Sequence, residues 1–187
     1  MVGPPLSSQS AANRRKLARM MRTLLALALV AACGGGGPTH WQEQPLETIE
    51  GTFKDHKYSI EIPKGMVKGS DTYSDEYQYK AKRGGELYVF APSVSVGWTD
   101  KKETLEDRLK SEKETPVLKE QTADGHIAAF ENSSYKGKED YVVYAQRYVG
   151  EGALTCNARV YPMKKGENVK DKLLPLVQKM CLSLKAK

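Results

Sequence analysis

Cysteine and histidine are scarce in this chain, which has three residues of each among 187. The histidines His40, His56 and His126 lie far apart, so no His-x-x-His or His-Glu-x-x-His spacing for a metal occurs. The nucleophile elbow Gly-x-Ser-x-Gly, the Walker loop and the dinucleotide motif Gly-x-Gly-x-x-Gly are absent as well. From these absences we predict no catalytic residue, no metal site and no cofactor, and we expect that the protein is not an enzyme.

A hydrophobic run long enough to span a bilayer is also absent. The apolar stretch Leu24–Ala32 falls short of the ~20 residues that a membrane-spanning helix needs. It follows a basic segment and ends in two small residues, a pattern typical of a secretory signal peptide. The basic residues of that segment are Arg14, Arg15, Lys16, Arg19 and Arg22.

Cys33 directly follows the apolar stretch and is itself followed by four glycines. The sequence Val30-Ala31-Ala32-Cys33 resembles the lipobox of bacterial lipoproteins, although the common form has Leu where Val30 stands. The resemblance implies that the peptide is cut before Cys33 and that its sulfur carries lipid, such as palmitate. The alternatives are an ordinary secretory signal that contains a cysteine, or a buried helix, which the glycines disfavour because each costs about 1 kcal/mol.

Three segments are expected along the chain: a signal segment over residues 1–32, a lipidated cysteine with a Gly-rich tether over residues 33–45, and a single domain over residues 46–187. Met20 or Met21 is an alternative start. Gly34, rather than Asp, follows Cys33, and in some envelopes this choice directs a lipoprotein to the outer membrane. We therefore expect a lipid-anchored envelope protein, in the outer membrane, facing the periplasm or the surface.

The charge of the chain supports this division. It carries 29 Lys and Arg residues against 23 Asp and Glu, a formal net charge of +6. Five of the basic residues and none of the acidic ones lie in residues 1–32, which leaves 24 against 23 in the remainder. The basic character therefore belongs mainly to the signal segment, and we predict no nucleic-acid partner.

Cys156 and Cys181 remain as a pair if Cys33 is lipidated. Cys156 shares a predicted strand face with Leu154, and Cys181 lies on the apolar face of a predicted C-terminal helix. Because exported proteins meet an oxidising compartment, we predict a disulfide between these two residues. The alternatives are two free buried thiols or a metal pair, although zinc prefers four N or S ligands and no histidine neighbours either cysteine.

Apolar and polar residues alternate along most of residues 46–187, as at Tyr58, Ile60 and Ile62. This period of two is typical of half-buried strands, and short connections such as Asp124-Gly125 favour an antiparallel meander. The fold class predicted is α+β: an antiparallel sheet of about six to eight strands with two main helices packed on it.

The first helix is predicted to be capped by Thr99 or Asp100 and to run to about Glu114. The second is C-terminal, over residues 167–184, where apolar residues recur every three or four positions. Pro175 lies inside this second segment and should kink or restart the helix, since it lacks a backbone N–H.

Tyr144, Gln146 and Tyr148 share one face of the strand before the last predicted long strand. Tyrosine suits both sheet faces and binding surfaces, so these residues are candidates for a ligand-binding surface, with plain strand packing as the alternative. An acidic cluster lacks the spacing of an EF-hand calcium loop, and we expect it to be a solvated loop. Its residues are Asp71, Asp75 and Glu76.

Two segments carry a resemblance to a known family: Tyr58-Ser59-Ile60-Glu61-Ile62-Pro63-Lys64-Gly65 and Val177-Gln178-Lys179-Met180-Cys181-Leu182-Ser183-Leu184. They resemble the PsbP-like fold, whose members open with a strand ending in such a Pro-Gly turn and finish with a helix and a Ser-Leu pair. The resemblance implies a binding or assembly module with an envelope protein partner. The alternative is an enzyme or a carrier of a small ligand or metal.

Overall fold

The computed structural model describes residues 41–83, 86–132, 139–163 and 166–187; over 81–83 and 86–91 it describes the backbone without the side chains. The predicted signal segment, Cys33 and the tether as far as residue 40 lie outside the described residues. The described residues all belong to one compact unit, Gly36–Lys187. None of their helices is long and apolar enough to cross a membrane.

Ten strands form in the described part of the chain. They are β1 (Leu46–Phe53), β2 (His56–Pro63), β3 (Val67–Lys68), β4 (Asp75–Arg83), β5 (Glu86–Thr99), β6 (Pro116–Thr122), β7 (Gly125–Glu131), β8 (Tyr141–Val149), β9 (Gly152–Val160) and β10 (Lys185–Ala186). A larger sheet has the order β3-β4-β5-β9-β8-β7-β6, and a smaller sheet has the order β1-β2-β10. All described pairings are antiparallel. The α+β class is therefore confirmed, with seven strands in the larger sheet.

The smaller sheet contains two strands, β1 and β10, that the sequence analysis did not predict. Lys54 and Asp55 join β1 to β2 with φ angles of 47° and 68°. Two consecutive left-handed residues twist a two-residue hairpin in the sense that the flanking strands require. β10 pairs with β2 at its other side, opposite Tyr58 and Ser59.

Helix α1 (Leu105–Ser111) is shorter than predicted and begins later. Its N-cap is Thr104, and not Thr99 or Asp100. The Thr104 hydroxyl accepts the Asp107 N–H at 3.1 Å, and the Asp107 carboxylate accepts the Thr104 N–H at 3.3 Å. This reciprocal pair is a capping box, which satisfies two N–H groups that the helix leaves without partners.

Helix α2 (Leu174–Leu182) follows a π-helical turn over Val169–Leu173. Pro175 lies in the first turn of α2, where a missing N–H costs little, so the predicted restart of the helix is observed. At the other end, Arg147 on β8 donates to the carbonyls of Leu182 and Leu184. These bonds satisfy acceptors that the end of a helix leaves free.

The core lies between the larger sheet and a layer made of α2 and the smaller sheet. Tyr58, Ile60 and Ile62 of β2 are fully buried in it. Trp41, which the sequence analysis placed in the tether, is also buried there, with 1% of its surface exposed. Contacts with the core therefore begin at least as early as residue 41.

The predicted disulfide is present: Cys156 on β9 is bonded to Cys181 on α2, with 5.4 Å between their Cα atoms. Both residues are fully buried. The two segments that carry the family resemblance also meet, because the Glu61 N–H of β2 donates to the Ser183 hydroxyl at 2.8 Å. These bonds join α2 to both sheets.

Candidate functional site

The face of the larger sheet that points away from the core carries the predicted candidates Tyr144, Gln146 and Tyr148. Helix α1 lies over this part of the sheet, against β6 and β7. Tyr144 and Gln146 are consequently buried, with 9% and 2% of their surfaces exposed, and Tyr148 is half-buried. The structure therefore brings the three candidates together beneath α1 and not on an open surface.

Three further residues complete this group, which we call the α1 cluster. His126 comes from β7, where it pairs with Gln146 of β8. The loop before α1 contributes one residue and α1 itself contributes another. The cluster consists of Glu103, Arg108, His126, Tyr144, Gln146 and Tyr148.

Glu103 connects the start of α1 to the sheet through its backbone. Its N–H donates to the Gln146 side-chain oxygen at 3.0 Å, and its carbonyl accepts the Tyr148 hydroxyl at 2.9 Å. The Gln146 amide in turn donates to the Tyr144 oxygen at 2.6 Å. These polar contacts join the start of α1 to the sheet, while Leu105 and Leu109 of the helix itself are half-buried.

His126 is buried, with 1% of its surface exposed, and its Nδ1 lies 3.2 Å from the Tyr148 hydroxyl oxygen. Since the Tyr148 hydrogen is donated to Glu103, this oxygen must accept the His126 Nδ1–H. Nε2 is then an unprotonated acceptor, and it has no hydrogen-bond partner among the described residues. Burial, and secondly the charge of Arg108, lower the pKa of His126.

Arg108 supplies the positive charge of the cluster. Its Cζ lies 4.0 Å from the centre of the Tyr144 ring, and the guanidinium pairs with Glu112 and, at 3.9 Å, with Glu103. Burial raises the pKa of the Tyr144 hydroxyl, although the hydrogen bond from Gln146 opposes this. In this cluster the Arg108 guanidinium therefore faces a neutral His126 imidazole and a protonated Tyr144 hydroxyl. These contacts hold α1 against the sheet.

Sequence reasoning found only part of this cluster. It treated His126 only as one of three widely separated histidines, whereas β7 places the His126 ring beneath α1. The antiparallel register of β7 with β8 was the signal that could have paired His126 with Gln146. Nothing local in the sequence pointed to Glu103 or Arg108, since their roles depend on where α1 lies.

We expect the protein to lose stability as the pH falls below about 6.5, the ordinary pKa of histidine. The folded protein holds His126 neutral, so the unfolded chain binds the proton first and is favoured by acid. The stability therefore falls with pH until the lowered pKa of the folded state is reached, by at most about 1.4 kcal/mol per pH unit. Urea unfolding at pH 7.5 and pH 5.5 measures this.

The matched variant for this measurement is His126→Gln, which keeps a polar side chain that does not titrate. It should reduce the difference in stability between the two pH values. An identical pH dependence in wild type and His126→Gln would show that His126 is not the group responsible.

A second feature is a cleft of about 180 Å³ at the end of the molecule where the β1–β2 turn meets the ends of β5 and β8. We call it the Trp98 cleft. Its lining combines apolar side chains with charged ones and one aromatic pair. The lining residues are Asp55, His56, Lys57, Trp98, Val149, Leu154, Ala186 and Lys187.

Trp98 is held in place by three neighbours. The His56 ring stacks on it, with 3.3 Å between ring centres and 12° between planes. The indole N–H donates to the Asp100 carboxylate at 2.8 Å. A methyl group at Gly152 would overlap the indole ring, so only glycine fits there. The cleft therefore has a preformed aromatic wall, which the sequence analysis did not anticipate.

The three residues of the predicted acidic cluster do not act together. Asp71 accepts the Tyr73 N–H at 3.1 Å and the Ser74 hydroxyl at 2.9 Å within an exposed loop, as expected. Asp75 is instead buried and accepts the Tyr58 hydroxyl at 2.6 Å. Within the described ranges, no group of three or more His, Cys, Asp or Glu side chains could hold a metal ion.

Comparison of the chain with models of known protein families and with curated proteins found no match.

Proposed function

We propose that this protein is a lipid-anchored component of a bacterial cell envelope whose folded part is a non-enzymatic binding or assembly module. The sequence Val30-Ala31-Ala32-Cys33, after a basic segment and a short apolar stretch, is the observation that carries the anchor. The outer membrane is the destination that Gly34 favours. The resemblance of two segments to the PsbP-like fold supports a module that binds a partner.

The Trp98 cleft is the surface that we propose for partner binding. Trp41 leads into β1 at Leu46, which pairs with Pro63, whereas the cleft lies at the opposite end of the β1–β2 hairpin, beside Asp55. Eight residues of strand separate the two ends by about 26 Å. The cleft therefore lies at the end of the hairpin remote from the residue at which the predicted tether enters the domain.

The anchor is tested by Cys33→Ser in the native organism. We expect wild-type protein in the membrane fraction and the variant in the soluble or secreted fraction, because a serine oxygen cannot replace the thioether to lipid. Labelling with a palmitate analogue should mark the wild type alone. Complete retention of Cys33→Ser in the membrane would refute the lipid anchor.

Partner binding is tested by crosslinking in the same membranes. We expect a recurrent envelope protein to crosslink to the wild type and to be lost from Trp98→Ala, which removes the wall of the cleft. Lys185→Gln, an exposed change outside the cleft, is the matched control. Crosslinks that are equal in all three proteins would show that the cleft takes no part.

A second candidate, a carrier of a small ligand, is favoured by the same cleft. Its preformed aromatic wall is a surface on which a flat or apolar group of a small molecule can stack. Trp98→Ala distinguishes the two candidates. The variant should lose a crosslinked protein if the module binds a partner, and a bound small molecule if the module is a carrier.

A further inference from the structure

Strand β1 forms one edge of the smaller sheet, and among the sheet edges in the described part of the chain it alone is both long and regular. It has eight residues, a continuous register with β2, and neither proline nor lysine. The other edges are short or interrupted, as is common in proteins that avoid edge-to-edge pairing. β3 and β10 have two residues each, and β6 begins at Pro116, has an irregular register beside it and exposes Lys119.

The backbone of β1 alternates between groups that bond to β2 and groups that point away from it. On β2, the Lys57 carbonyl accepts the Lys187 N–H at 3.0 Å, so Lys57 directs its backbone groups away from β1. In an antiparallel ladder, the residue opposite such a residue also directs its backbone groups outward. That residue is Thr52, and the alternation gives Thr48 and Glu50 the same outward direction.

Glu61, which lies opposite Thr48, agrees with this alternation, because its N–H donates to the Ser183 hydroxyl and not to β1. The side chains of Thr48, Glu50 and Thr52 are exposed. Within the described residues, β2 is the strand that pairs with β1, and no strand pairs with its other side. The edge therefore presents a row of N–H and C=O groups to which a further strand can bond.

A second copy of this chain fits the edge if its β1 runs antiparallel, because the pair then has two-fold symmetry and each edge satisfies the other. Two symmetric registers match outward groups with outward groups over seven residues. One pairs residues 47–53 and sets Glu50 opposite the second copy's Glu50, where like charges repel. The other pairs residues 46–52, is centred on Ile49, and sets each Glu50 opposite Thr48.

The register centred on Ile49 also suits the surroundings of β1. Ile49 packs against the core beside Ile60 and is only half-buried, so the second copy's Ile49 opposite would cover more of its apolar surface. Glu50 already pairs with Lys187 of its own chain at 3.0 Å. This ion pair offsets the charge of Glu50 where the two copies approach on the diagonal.

We propose that two copies of this chain pair through their β1 edges, antiparallel and centred on Ile49. The two smaller sheets then form one sheet of six strands, three from each copy. This inference goes beyond the proposed function, because the pairing needs neither the lipid anchor nor the Trp98 cleft.

Cysteine crosslinking tests the register. In the full chain carrying Cys33→Ser, the remaining two cysteines are bonded to each other, so an introduced cysteine is the one free thiol. Ile49→Cys should give a covalent dimer on mild oxidation, because the two Cα atoms would lie about 4.5 Å apart, within disulfide reach. Thr52→Cys is the matched control. Its two thiols would be about 20 Å apart along the strands, so it should remain monomeric.

Sedimentation equilibrium of the same Cys33→Ser chain measures the strength of the pairing. Thr48→Glu should weaken the dimer about tenfold, because it sets like charges opposite each other at two symmetric places. Thr48→Lys should strengthen the dimer, since the lysine then lies opposite Glu50. Thr52→Lys, which adds the same charge opposite Leu46, should do neither. Urea unfolding should show that all three variants fold as the wild type does, because both threonines are exposed.

Three results would overturn the proposal. They are a monomer at every concentration measured, equal crosslinking of Ile49→Cys and Thr52→Cys, and equal effects of Thr48→Lys and Thr52→Lys on the dimer. None of these results would alter the membrane fractionation of Cys33→Ser or the crosslinks lost from Trp98→Ala. Failure of the dimer and failure of the proposed function can therefore be distinguished.

Discussion

Replacing both Cys156 and Cys181 with alanine should lower the free energy of unfolding by about 3.5 kcal/mol. The disulfide joins positions 25 residues apart, and a loop of this length removes about that much chain entropy from the unfolded state. For a domain of this size the melting temperature should fall by roughly 10 °C. Urea unfolding and calorimetry of oxidised protein and of the double variant measure the two quantities.

The wild type in reducing agent is the matched control, because it breaks the same bond without removing the sulfur atoms. It should reproduce most of the loss of stability once the buried disulfide is reduced to two thiols. The single variants Cys156→Ala and Cys181→Ala should each show the full effect, since either one opens the loop. A double variant as stable as the oxidised wild type would mean that α2 is held to β9 without help from the disulfide.

Asp75→Ala should lower the free energy of unfolding by about 2–4 kcal/mol, the usual range for breaking a buried network with a charged member. Tyr58 is fully buried and donates to Asp75, and Tyr77 lies 2.7 Å from the Tyr58 oxygen. Lys68 pairs with the other Asp75 oxygen at 2.7 Å. Burial, reinforced by the Asp75 hydrogen bond, raises the pKa of Tyr58 far above its ordinary value, so Tyr58 remains a donor.

Asp71→Ala is the matched control, because Asp71 is an exposed carboxylate of the same predicted acidic cluster. It should change stability by no more than about 0.5 kcal/mol. The loss of stability caused by Asp75→Asn should lie between those of Asp71→Ala and Asp75→Ala, since the amide oxygen still accepts from Tyr58. The double variant Tyr58→Phe/Asp75→Ala should lose less free energy of unfolding than the sum of the losses of the two single variants. Equal effects of Asp71→Ala and Asp75→Ala would refute the buried network.

The strands that could be predicted are those with a strict apolar alternation. Tyr58, Ile60 and Ile62 identify β2 because each of them is buried in the core. β1 escaped prediction because it is half-exposed and contains Gly51, whose lack of a side chain makes room for the Tyr58 ring. Its stability comes from pairing with β2, which no local pattern records.

The disulfide was predictable because each cysteine lies on the apolar face of its own element. Because both apolar faces must be buried in the same core, Cys156 and Cys181 are brought close enough to form a disulfide. The burial of Asp75 was not predictable, since residues 71–73 just before it are exposed and its partner Tyr58 comes from the other sheet.

The candidate site also has features that could be predicted from the sequence and features that could not. The shared face of Tyr144, Gln146 and Tyr148 follows from the period of a strand. That α1 covers this face does not follow, because Glu103 reaches the sheet through its backbone, which carries no sequence signal. The Trp98 cleft was hidden from sequence reasoning because its wall joins His56 of β2 with Trp98 of β5.

The late position of β10 has a consequence for how the protein is made. β10 completes the smaller sheet beside β2, and the Ser183 hydroxyl accepts from Glu61 across 122 positions of the chain. During synthesis, β2 leaves the ribosome long before these partners exist. Contacts this distant in sequence slow folding, because the long loop between them must close before they can form. The strand order therefore suits a protein that folds only after its last residues have arrived.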